Sequence, residues 1–143
     1  MYNNEYVKDS STSLLILSSF LFMSNMISTH YMGYFVYCVL FLCLTISSIT
    51  YHYNSNTITK TIDRIFVISA ILYAGYIFYQ KANKHNVNKV IFVIMSFFTI
   101  VLFYCYGYYA NEYCFDYDIR IGNIYHSFIH IISSIGFHTI MFM

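Results

Sequence analysis

Two histidines four residues apart, His126 and His130, stand in an apolar run without charged residues from Ile121 to Met143. At ~1.5 Å per residue such a run is long enough to cross a bilayer as a helix, and residues at i and i+4 share one helix face. Both rings can then reach a single ion, or they can hydrogen-bond neighbouring helices, as polar residues inside a bundle often do. A third histidine, His52, closes an earlier apolar run with Ser48 one turn deeper on the same face, and Asp63 opens the next run. Three neutral imidazoles and a water make the ligand set of a catalytic zinc site that keeps an open position. A carboxylate nearby is suited to orienting a ligand or taking a proton from that water.

The elements that position these residues lie in a membrane. Of 143 residues, 59% are hydrophobic and 9% charged, against about 25% charged in soluble domains. The mean hydropathy is +0.58. This predicts an all-α, polytopic transmembrane bundle in the lipid bilayer. A net charge of +1 without a Lys/Arg run, helix-turn-helix or zinc-finger spacing argues against nucleic acid as a partner. Cys38, Cys43, Cys105 and Cys114 form no C-x-x-C pair and say little about redox compartment.

Taken in order, Met1 to Asp9 reads as a short exposed polar tail, without the basic start and cleavage site of a signal peptide. Ser10 to Thr59 carries no Asp, Glu, Lys or Arg, too long for one crossing and fitting two, divided near Ser28 to Gly33. Asn54 to Lys60 is a polar connection, after which a third span must recruit the turn from Thr61 and so places Asp63 at the membrane edge. The basic loop with Lys81, Lys84, His85 and Lys89 precedes a fourth span that ends in an aromatic run. Glu112, Asp116, Asp118 and Arg120 form an acidic connection before the fifth. The expected spans are 13–29, 34–52, 61–80, 90–111 and 121–143, in a single domain of 1–143. Keeping the lysine loop cytosolic puts the N-terminus outside or lumenal and the C-terminus in the cytosol.

Counting crossings brings the end of span two and the starts of spans three and five to one face of the membrane. His52, Asp63, His126 and His130 therefore share a side. His138, two turns beyond His130 or ~12 Å by helix rise, is not expected as a ligand, and His30 and His85 fall in loops.

This order of residues resembles the alkaline ceramidases of the CREST superfamily of membrane hydrolases, which includes the progestin and adipoQ receptors and hemolysin-III-like proteins. The resemblance rests on Ser48-Ile49-Thr50-Tyr51-His52 closing the second span, Asp63 eleven residues on, and His126-Ser127-Phe128-Ile129-His130 followed by Gly136, and covers about half the chain. It implies that His52, His126 and His130 hold Zn²⁺, that Asp63 acts on the water at the metal, and that Ser48 hydrogen-bonds at the metal or the developing oxyanion. The implied reaction is hydrolysis of a ceramide-like lipid to a sphingoid base and a fatty acid. Against the seven-helix family, this chain lacks two middle helices and has Arg64 where ceramidases have Glu. Ser127-Phe128-Ile129 replaces the family's aromatic residues between the last two histidines. No acidic calcium-binding segment occurs in Met1 to Ser13, so no calcium site is expected. Three other readings stay open: a non-catalytic multi-pass scaffold or receptor-like remnant, a channel or small transporter with histidines along a polar path, and a homo-oligomer in which a second copy completes the bundle.

Overall fold

The computed structural model describes the backbone of residues 4–143 and the side chains from residue 11 onward. The first helix, α1 (Asn4–Ser19), passes into α2 (Leu21–Tyr31) through a break at Phe20. There the Phe20 N–H donates to the Leu17 carbonyl at 3.2 Å, and Met23 N–H to the Phe20 carbonyl at 3.0 Å. The cause is local: the hydroxyls of Ser18 and Ser19 both turn back onto the Leu15 carbonyl, each at 2.9 Å, and such back-bonding bends helices. Within the expected tail the backbone from Asn4 is already helical. Met1 to Asn3 lie outside the described residues.

A tight turn reverses the chain where the sequence predicts the divide. Gly33 takes φ +78°, its N–H donates to His30 O at 3.0 Å, and Tyr34 N–H donates to Thr29 O at 2.9 Å. This is the paired bonding of a Schellman motif, whose left-handed residue is most easily glycine. Helix α3 (Phe35–Tyr53) then buries Tyr37, Phe41, Leu44, Thr45 and Ser48 at helical spacing. Helix α4 (Thr57–Lys81) begins one turn before the predicted 61, because Asn56 and Thr59 form a reciprocal capping box. It turns Ala70, Ala74 and Ile77 inward, and the two alanines let α3 and α4 pack closely.

After a 3-10 turn at Lys84–Asn86 comes α5 (Val87–Val101), which continues through a π turn at Leu102–Tyr106 into α6 (Gly107–Ala110). The helix stops at Asn111, which is left-handed at φ 56°. The returning chain passes so close that a Cβ on Gly107 would lie 2.7 Å from Glu112 O, so only glycine fits there. A second 3-10 turn (Tyr113–Phe115) leads to α7 (Ile119–Met141), capped by the Asp118 carboxylate accepting from Arg120 N–H at 2.9 Å.

Four helical stretches are long and apolar enough to cross a membrane: Ser11–Tyr31, Phe35–Tyr53, Thr57–Lys81 and Lys84–Ala110. Large apolar side chains such as Leu17, Phe35, Leu72 and Phe98 face outward along them, as lipid requires. The architecture is that of an all-α membrane bundle. The predicted fifth span is present as α7, 23 residues long, but it is not among the four. The physical reason is its composition. Three histidines, Asn123 and several serines lower its hydropathy, and it sits inside the bundle, packed against α1, α2, α4 and α5.

An aromatic cluster binds the middle of the bundle: Tyr37 meets Phe41 at 4.4 Å between centroids, and Phe41 meets Phe137 of α7 at 5.0 Å. At the end of α7 the lysine loop has a structural task. Lys81 Nζ donates to the Met141 carbonyl at 2.5 Å and lies over the Tyr34 ring, and Lys89 Nζ donates to the Phe142 carbonyl at 2.6 Å. Cations are favourable at a helix C-terminus, where the last carbonyls lack intrahelical partners.

Candidate metal centre

His52 occupies the last turn of α3, and His126 and His130 lie in the second and third turns of α7. With Ser47 and Ser48 facing inward from α3, His52 leans onto the same face of α7 that carries the other two rings. One ligand nitrogen from each of the three lies within 4.8 Å of the others. Ring centroids are 5.1 Å apart for His52 and His126, 5.4 Å for His52 and His130, and 5.0 Å for His126 and His130. His130 is buried, while His52 and His126 are half-buried.

The hydrogen-bond inventory fixes the chemistry of one ring. Ser18 Oγ stands 2.8 Å from His130 Nδ1, and the single hydroxyl proton of Ser18 already goes to Leu15 O. The serine oxygen therefore accepts from Nδ1–H, which assigns the proton to Nδ1 and leaves the Nε2 lone pair free. Metal-binding histidines are oriented in this way by an acceptor on their other nitrogen. His52 Nε2 is buried and has no hydrogen-bond partner. An unpaired buried nitrogen costs about 1–3 kcal/mol, so the site favours a species that bonds to it. Phe22 packs edge-on against His130 at 5.3 Å, and Tyr104 against His126 at 6.4 Å, giving the cluster aromatic walls.

Asp63 sits in the second turn of α4, half-buried, its Oδ1 accepting from Ser47 Oγ at 3.1 Å. It is not a member of the three-histidine cluster. Ser48 is buried one turn below His52 and shares a 3.2 Å hydrogen bond with Ser19. Sequence spacing thus brings the three histidines together and places Ser48 and Asp63 on the surrounding helices. It did not single out Ser18, Ser47 or Tyr104. The adjacent serines at 18 and 19, placed mid-span in an otherwise apolar helix, were the available signal.

The remaining histidines serve elsewhere. His138 donates from Nε2 to Ser24 Oγ at 2.9 Å, since the Ser24 proton is used by Leu21 O. His30 is helical, in the last turn of α2 against Tyr31 and Phe35, rather than in a loop; His85 lies in the first 3-10 turn. Two surface hollows occur at the far end of α7, one against Lys84, His85 and Met143, the other against Phe92, Ile135 and His138. Comparison with family models, with curated proteins and with solved structures finds no match for this chain.

Proposed function

We propose that the chain is a zinc-dependent membrane hydrolase of lipid amides, similar to the alkaline ceramidases, acting on a ceramide-like substrate to release a sphingoid base and a fatty acid. The observation that carries the reading is the convergence of three imidazoles around a buried, unpartnered His52 Nε2. The donor set fits the ion. Three nitrogens on a tetrahedral zinc at ~2.1 Å stand roughly 3.4 Å apart, so side-chain shifts of about an ångström close the cluster. His52, His126 and His130 would hold it, with the fourth coordination position left for water and substrate.

The chemistry that zinc would supply there is Lewis acidity, which lowers the pKa of a bound water to ~7 and polarises an amide carbonyl. The chain's own residues do the rest. Ser18 holds the His130 ring with Nε2 turned to the centre. Ser47 fixes one carboxylate oxygen of Asp63, which leaves the other to accept the proton of the attacking water. Ser48, with Ser19, lies beneath the His52 ring and is assigned to the oxyanion side. A substrate whose amide lies at the membrane interface and whose chains stay in hydrocarbon suits a centre at the ends of α3 and α7. The N-terminus is assigned to the lumenal or extracellular side and the C-terminus to the cytosol.

A non-catalytic multi-pass protein is the second reading, favoured by the hollows lying at the far end of α7. Metal analysis of the detergent-purified chain, followed by turnover of labelled ceramide, decides between them. One zinc per chain, lost in His52→Ala and His126→Ala, with ceramide cleaved by the unaltered protein, is expected. A purified chain without zinc overturns the hydrolase; zinc without turnover favours the second reading.

A further inference from the structure

Resting on the hydrolase reading, we propose that Arg64 and Tyr104 form a head-group site that selects amide lipids carrying an anionic phosphate close to the scissile amide. Helices α4 and α5 follow one another in the chain, yet no Cα of α4 comes within 8 Å of α5 or of the π turn; α7 packs against both. Among the described residues one side-chain hydrogen bond crosses this gap, from Arg64 Nη2 to Tyr104 OH at 3.4 Å.

That bond leaves the guanidinium largely unused. The ion pair present among the described residues joins Arg120 to Asp118, and the neighbouring Asp63 is engaged by Ser47. Arg64 therefore offers most of its five donors, in the planar fork that matches phosphate, to whatever occupies the gap. Tyr104 accepts from Arg64, so its own phenolic proton is free to donate to the same anion.

Position ties the pair to the reaction. Tyr104 comes from the π turn, and such turns insert one residue and re-aim the side chains that follow. Here the phenol ring is set edge-on to His126, one of the three clustered histidines, and to Phe115 at 5.2 Å. Arg64 directly follows Asp63. An anion held by the fork thus stands one side chain, Tyr104, from a ligand ring. Ile65 and Ile68 of α4, with Phe98 of α5 and Leu102 of the π turn, are exposed apolar side chains, suited to the hydrocarbon of the same lipid. The fork is a positioning device for the head group, while bond cleavage stays with the histidine centre.

The test uses the full-length purified chain and two probes with the same acyl chain: an N-acyl sphingosine, and the same lipid with a phosphate monoester on its primary hydroxyl. Native mass spectrometry reads lipid retention without turnover, and inorganic phosphate serves as competitor. The phosphorylated lipid is expected to be retained preferentially, with the preference falling about tenfold to hundredfold in Arg64→Gln. It should recover in part in Arg64→Lys and weaken in Tyr104→Phe, at unchanged zinc content. In hydrolysis the same loss should appear in KM for the phosphorylated lipid rather than in kcat.

Equal retention of both lipids by the unaltered chain, or a preference indifferent to Arg64, overturns the site. Full displacement by millimolar inorganic phosphate also overturns it, showing an ion site without lipid recognition. Retention through Arg64 with no cleavage of either lipid by the zinc-loaded chain leaves the head-group site standing and removes the hydrolase. Cleavage of both lipids at equal KM does the reverse.

Discussion

Replacing Ser18 by alanine removes one oxygen and tests how the centre is held. That oxygen accepts from His130 Nδ1–H at 2.8 Å while its proton is tied to Leu15 O. In Ser18→Ala the His130 ring loses the partner that fixes its tautomer, and the buried Nδ1–H is left unpaired. Loss of such an outer partner typically weakens metal binding 10- to 100-fold, equivalent to about 1.4–2.8 kcal/mol. The helix is little affected, because alanine is the best helix former and the back-bond to Leu15 O, if anything, bends it. Zinc affinity is measured by competition with a chromophoric chelator, on detergent-purified protein whose thermal unfolding shows an intact bundle. Ser18→Thr keeps the hydroxyl and is expected to recover most of the affinity. An alanine variant that binds zinc as tightly as the unaltered chain would refute the tautomer argument. Loss of affinity in the threonine variant equal to that in alanine would point to packing instead.

Three further outcomes are expected. Asp63→Asn should retain zinc and lose about 10²- to 10⁴-fold in kcat for amide cleavage, read by fluorescent product release; retained turnover would remove Asp63 from proton transfer. Lys81→Ala frees the Met141 and Ile140 carbonyls and uncovers the Tyr34 ring; it should lower stability by about 1–3 kcal/mol, seen as a lower Tm in detergent. Lys89→Ala, at a more exposed carbonyl, should have the smaller effect of the two. Phe41→Ala empties a fully buried position between Tyr37 and Phe137. It should cost about 3 kcal/mol through the cavity left behind, detected by the same melting measurement.

The helix ends show where local sequence was sufficient. The second span was expected at 34–52 and is found at Phe35–Tyr53, because a glycine turn precedes it and Asn54 follows. The third starts at Thr57, a turn before the expected 61, since an Asn56–Thr59 capping box outweighs the polar character of Thr57 to Lys60. The break at Phe20 and the π turn at Leu102–Tyr106 had no periodic signal, because both are single-turn departures inside uniformly apolar runs. The serine that meets Asp63 was not singled out from the sequence: the rotation of α3 against α4 presents Ser47 to it. Helix phase relative to a neighbour is a property of packing and not of either helix alone.

Spans of apolar residues, their polar punctuation and the four-residue step from His126 to His130 are properties of neighbouring positions. They alone determined that this chain forms membrane-type helices and which faces carry the imidazoles, because helical hydrogen bonds join residues only four apart. Bringing His52 against α7, setting Ser18 under His130 and packing the histidine-bearing α7 against α1, α2, α4 and α5 were decided by the tertiary structure. These depend on how surfaces from distant parts of the chain fit together, and local hydrogen bonding carries no information about that fit.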